Sequence, residues 1–121
     1  MIEVKTVLDA VTATTTSDAI SIEGAKKVSF LFTRANHSSG SSAFSVTASI
    51  DGVTYVTYNK LIENATNTNV QNVTRVASKT LSANGSALMS MDLVHDAYRY
   101  IKVTATETTD GTHSAKVLIE R

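Results

Sequence analysis

Three histidines, His37, His95 and His113, are the first residues to weigh for chemistry, since an imidazole beside a carboxylate or a second imidazole binds metal or relays protons. Their spacing supports neither role. None has a histidine or carboxylate at i, i+4 on a helix or i, i+2 on a strand. His95 and Asp96 are neighbours, and on a strand neighbours point to opposite faces. The sequence predicts ordinary surface histidines and no metal site. Asp92 and Asp96 flank His95 and could form a small acidic site. The simpler expectation is a solvated turn that leaves Met91 and Leu93 buried, because acid–base work needs one carboxyl in an apolar pocket and nothing picks one out. Zero cysteines exclude thiol catalysis, disulfides and cysteine-based metal sites. Neither GxGxxG nor GxxxxGK[ST] occurs, so no glycine-rich phosphate loop is present. No catalytic residue and no cofactor is expected, and the chain reads as a non-enzyme.

Binding chemistry offers more. Tyr55, Tyr58, Tyr98 and Tyr100 are the only aromatics besides three phenylalanines, and there is no tryptophan. Tyr98 and Tyr100 share one face of a predicted strand, opposite Ile101 and Val103, and that face suits a ligand, a loop or another subunit. Asn36, Asn64, Asn72 and Asn84 each open a glycosylation sequon. In a chain so rich in Asn, Ser and Thr such matches arise by chance.

The elements that carry these residues alternate with period two. Phe44, Val46, Ala48 and Ile50 alternate with polar residues up to Asp51-Gly52, a pair suited to a tight hairpin turn. A two-residue loop sets Ile50 opposite Val53 and Ala48 opposite Tyr55; a three-residue loop with a bulge shifts that register by one. Ile2, Val4, Thr6 and Leu8 alternate with Glu3, Lys5 and Val7, giving a first strand or an extended N-terminal arm over residues 1–8. Residues 11–16 suit an edge or a connection, and 19–22 a short strand. Residues 26–34 place Val28, Phe30 and Phe32 on one face and form the best central strand. A polar loop follows over 35–42. Residues 63–72, with Asn64, Asn67 and Asn69, make an aperiodic excursion of the kind that carries function. Strand character returns at 73–81, 87–93, 98–106 and 113–121. The five glycines fall between the predicted strands. No segment holds a helical pattern over three turns. The expectation is one all-β domain over residues 1–121, an antiparallel β-sandwich of jelly-roll or Ig-like type with about eight or more strands.

Composition narrows the partners. Hydrophobic residues make up 42% and charged residues 18%, so Ser, Thr and Asn supply much of the polar surface. The formal net charge is zero with no basic run, which argues against nucleic-acid and membrane partners. No apolar run approaches the roughly 20 residues of a membrane span. The polar, alternating start is unlike a signal peptide, and synthesis in the cytosol is expected.

One resemblance covers nearly the whole length. A group of small proteins encoded in tailed-bacteriophage genomes shares a recurring pattern: an S-x-DG-x-x-[WY] hairpin, an N-x-x-NTN loop, a TRVAS strand, an aromatic-R-[YF]-I-[KR]-V strand and a TTDGT turn. The matching segments here are residues 49–55, 64–69, 74–78, 98–103 and 108–112, with Tyr55 where Trp is common. The chain resembles phage head-decoration (capsid cement) proteins, β-sandwich modules on an icosahedral shell. The resemblance implies a structural virion protein on the capsid surface. It implies the major capsid protein as partner and homotrimeric association, so that three identical contacts reinforce one another. The strand or arm with Ile2, Val4, Thr6 and Leu8 could pair with a neighbour's sheet edge. The Asn64, Asn67 and Asn69 loop and the Tyr98–Tyr100 face are the other candidate contacts. Two alternatives stay open. One is a carbohydrate- or ligand-binding sandwich, since the S-x-DG hairpin and RYIKV strand are reminiscent of discoidin-like domains; the other is a tail-associated structural protein.

Overall fold

Period-two alternation in a chain with no helical segment can bury its apolar side chains only by stacking sheets, and the structure does this. It is a computed structural model that describes residues 1–63, 75–93 and 97–121. Among these residues there is no helix, and twelve strands form two antiparallel sheets. The first contains β1 (Ile2–Val11), β12 (Thr112–Glu120), β4 (Lys27–Ala35), β10 (Gly85–Ser90), β7 (Leu61–Glu63) and β8 (Arg75–Val76), in that spatial order. The second is centred on β11 (Tyr100–Glu107) paired with β5 (Ser42–Ser49). Beyond β11 lie the short β2 (Thr15–Thr16) and β3 (Ile20–Ser21), and beyond β5 lie β6 (Val56–Thr57) and β9 (Ser78–Leu81).

With each short pair counted as one interrupted strand and β7–β8 as an extension, the chain winds 1-8-3-6 in one sheet and 2-7-4-5 in the other. That order is a jelly roll, which settles the choice against an Ig-like arrangement. As expected, β4 is central, held on both sides by β12 and β10, and Val28, Phe30 and Phe32 point into the core. Phe44, Val46 and Ala48 of β5 meet them, with Ile101, Val103 and Ala105 of β11 and Ala115, Val117 and Ile119 of β12. The three phenylalanines stack in a column: Phe30 on Phe32 at 5.6 Å between centroids, then Phe32 on Phe44 across the sheets at 4.8 Å.

Two expectations change in detail. Ala48 lies opposite Val56, one residue from the tight-hairpin register and in line with the bulged alternative. The cause is Asp51, whose Oδ1 accepts the Val53 and Thr54 N–H groups, while Ser49 Oγ accepts those of Asp51 and Gly52. These bonds pull the chain into a wider loop and leave Ile50 and Val53 exposed instead of face to face in the core. In β1, a bulge between Thr6 and Leu8 inserts one residue opposite β12. Ile2, Val4 and Thr6 therefore face solvent while Leu8 turns into the core, so the four do not share one side.

Truncating the middle of the phenylalanine column tests this packing. Phe32→Ala is expected to lower the unfolding free energy by about 3–5 kcal/mol in urea titrations. Leu88→Ala, on the outer face of the same sheet, should stay within about 0.5 kcal/mol of wild type.

Candidate interaction surfaces and the buried polar end

The apolar alternation of four strands continues one step further with a polar residue, and all four meet at one end of the sandwich. Arg34 follows Val28, Phe30 and Phe32 on β4; His113 precedes Ala115, Val117 and Ile119 on β12. Ser42 precedes Phe44 on β5, and Glu107 follows Ala105 on β11. Arg34 is paired with His113 in one sheet and Ser42 with Glu107 in the other. The Arg34 side chain is fully buried, and its guanidinium donates to four backbone carbonyls. Nη1 reaches Gly40 at 2.9 Å and Leu81 at 3.1 Å; Nη2 reaches Ser39 and Asp110, both at 2.8 Å. One cation thus holds the β4–β5 and β11–β12 loops and the end of β9.

Asp110 completes the arrangement. Its carboxylate accepts the Ser38 hydroxyl and the Ser38 and Ser39 N–H groups. The Ser38 hydroxyl bond, then these backbone donors, lowers its pKa from 3.8 to about 2. Gly40 sits under this clamp at φ +76, where an added Cβ would lie 2.5 Å from Thr109 Oγ1, so only glycine fits.

His113 differs from the surface histidine expected of it. It is fully buried, its ring edge-on to Phe44 at 6.4 Å. Ser42 Oγ and His113 Nδ1 are 2.8 Å apart, and Nε2 lies 3.6 Å from Glu107 Oε1. Serine, histidine and glutamate in series resemble a nucleophile relay, but Ser42 is as buried as the histidine and meets no solvent. The set works as a structural bridge between the sheets. Asp92 likewise is not a solvated turn residue: it is buried, pairs with Arg75 at 3.1 Å, and its N–H donates to the Tyr58 hydroxyl at 2.6 Å. The burial of Arg34 and His113 was signalled by their parity with the apolar positions of their strands.

The expected contact residues separate. Ile2 and Val4 are 62% and 61% exposed on the outer face of β1, with Thr6 beside them, whereas Leu8 belongs to the core. Asn64, Asn67 and Asn69, with His95 and Asp96, lie outside the described residues. Tyr98 precedes β11 and packs edge-to-face on buried Tyr58 at 5.8 Å, so it does not form a platform with Tyr100. Tyr100 opens β11 on the outer face, where Arg99 approaches its ring at 5.4 Å and Gly52 closes over it. Lys102 Nζ covers the Tyr55 ring at 4.4 Å. Both outer tyrosines are therefore capped. The apolar groups presented beside them are Ile50, Val53 and Val56, with Val53 82% exposed at the loop tip. Among the described residues, no group of three or more His, Asp or Glu side chains is placed to hold a metal ion.

This geometry defines a jelly-roll sandwich with a braced loop end and apolar side chains on two outer surfaces. A solved structure with the same fold is the crystal structure of the SPBc2 prophage-derived protein YomS. The two superpose with a TM-score of 0.70 over 98% of this chain and 92% of that one, at 9% sequence identity. No family model and no curated protein matches the sequence.

The clamp yields a stability prediction with a defined sign. The folded-state pKa of Asp110 lies below its ordinary value, so its charge stabilises the fold above pH 3.8, and that contribution is lost as the pH falls toward about 2. In thermal melts Asp110→Asn should unfold below wild type at neutral pH, and the gap should close across that acid window. Arg34→Met, which removes four hydrogen bonds to backbone carbonyls and the buried cation beside Asp110, should cost about 3 kcal/mol or more in urea titrations.

Proposed function

We propose that this chain is a structural protein of a phage particle, a decoration protein that binds the outer surface of the head shell through the major capsid protein. The observation that carries the reading is the rigid apolar tip at Ile50, Val53 and Val56. Large apolar side chains stand in water on a loop whose backbone is fixed by Asp51 and Ser49. The Thr54 and Val53 N–H bonds, with the Ser49 hydroxyl, lower the Asp51 pKa, so the carboxylate stays charged and the loop stays set. A contact formed this way loses little conformational freedom on binding, which suits a protein that must hold a shell from outside. The sequence resemblance to phage decoration proteins and the prophage origin of YomS support the same reading.

The neutral, Ser/Thr/Asn-rich surface fits a module packed at high local density on a particle. A glycan-binding role gains less support, since Lys102 lies over the Tyr55 ring, and Arg99 and Gly52 crowd the Tyr100 ring.

The test is co-sedimentation of the purified chain with phage heads that lack it. Wild type should bind, and Val53→Ser with Ile50→Ser should weaken binding by about tenfold or more. The double variant should keep the wild-type far-ultraviolet dichroism, because neither side chain is buried. Binding to tail assemblies but not to heads would overturn the head assignment.

A further inference from the structure

Among the described residues, most lateral sheet edges are formed by very short strands. β8, β2, β3 and β6 have two residues each and β9 has four. Short edges are a common protection against unwanted strand pairing. The exception is β1, ten residues long and paired on one side only, with β12. Its second half is blunted by bulges between Thr6 and Leu8 and between Leu8 and Val11, with Ala10 at φ 49. Residues 2–6 keep an unbroken register.

The hydrogen-bond phase shows which groups this flat stretch presents. Met1 and Arg121 exchange both N–H···O bonds. In an antiparallel ladder bonded pairs alternate, so Glu3 and Lys5 direct their backbone groups at β12, and Ile2, Val4 and Thr6 direct theirs outward. We propose that the Ile2–Thr6 edge pairs antiparallel with the same edge of a second copy of this chain, on a twofold axis at Val4, making one continuous sheet across the two molecules.

The charges select both the occupant and the register. A twofold at Val4 sets Val4 against itself, Ile2 against Thr6, and Glu3 against Lys5 of the second copy. The Glu3–Lys5 pairs fall at non-hydrogen-bonded positions, where facing side chains come closest. An axis at residue 3 would oppose two glutamates and one at residue 5 two lysines, so only the central register is complementary. Up to about six backbone hydrogen bonds form. On the outer face Val4 meets Val4, flanked on each side by Leu118, its partner across the β1–β12 ladder. The contact is isologous, and it does not depend on the role proposed above.

Light scattering over a concentration series into the millimolar range should give a mass of two 12.9 kDa chains. Val4→Pro removes an N–H that points away from β12, so the fold should survive, as judged by far-ultraviolet dichroism, while the mass falls to one chain. Glu3→Lys and Lys5→Glu should each weaken pairing at least about tenfold, and mixing the two should restore the two-chain mass because opposite charges face each other again. A one-chain or three-chain mass for wild type would overturn the proposal. So would a two-chain mass that survives Val4→Pro, or a mixture that fails to recover.

Discussion

The buried guanidinium of Arg34 is the interaction on which the shape of this sandwich depends. A charge removed from water must find compensation nearby, and here the compensation is three loop carbonyls, the Leu81 carbonyl at the end of β9 and the Asp110 carboxylate 3.7 Å away. The loops at that end are consequently part of the folded interior's hydrogen-bond network. Their carbonyls would otherwise be satisfied by water and their conformations would wander. A core of aliphatic and phenylalanine side chains would close the sheets without them; Arg34 extends that order to the rim. His113 and Ser42 extend it across the gap between the sheets, next to the last ring of the phenylalanine column.

Much of this architecture was legible in the sequence because a strand's side-chain period is two and its signal survives without any knowledge of partners. The alternation of Val28, Phe30 and Phe32 marked β4 as central, and β5, β11 and β12 followed from the same pattern. The wrong expectations arose where a single side chain resets the local geometry. Asp51 captures backbone N–H groups and widens a turn whose Asp-Gly pair also suits a tight one. The bulge after Thr6 reverses the parity of β1, and no residue type there announces it. The surface expectation for His113 fails for another reason: its inward parity at a strand end signals burial only once the loops that cover that end are seen.

The candidate surfaces were legible in a similar, partial way. Ile2 and Val4 stand exposed, but Leu8, placed on their side by the alternation, is lost to the core through the bulge. Tyr98 and Tyr100 looked like one platform because both were assigned to a single strand. Ladder pairing begins only at Tyr100, which frees Tyr98 to turn inward onto Tyr58. The apolar tip at Val53 was hidden by its own pattern, since a valine flanking a turn normally marks a buried strand end.

The pairing of β1 with β12 has a consequence for how the molecule comes into being. Ile2 meets Glu120, so β1 is made long before β12, the strand it pairs with. Closing so long a span precedes the contacts that reward it, which makes this ladder a late and slow event in folding. The β4–β10 and β5–β11 pairings close shorter spans and provide the surface on which β12, and then β1, docks. A newly made chain therefore spends time with one long strand unattached on both sides, and the interval before docking is when it is most open to capture by another chain.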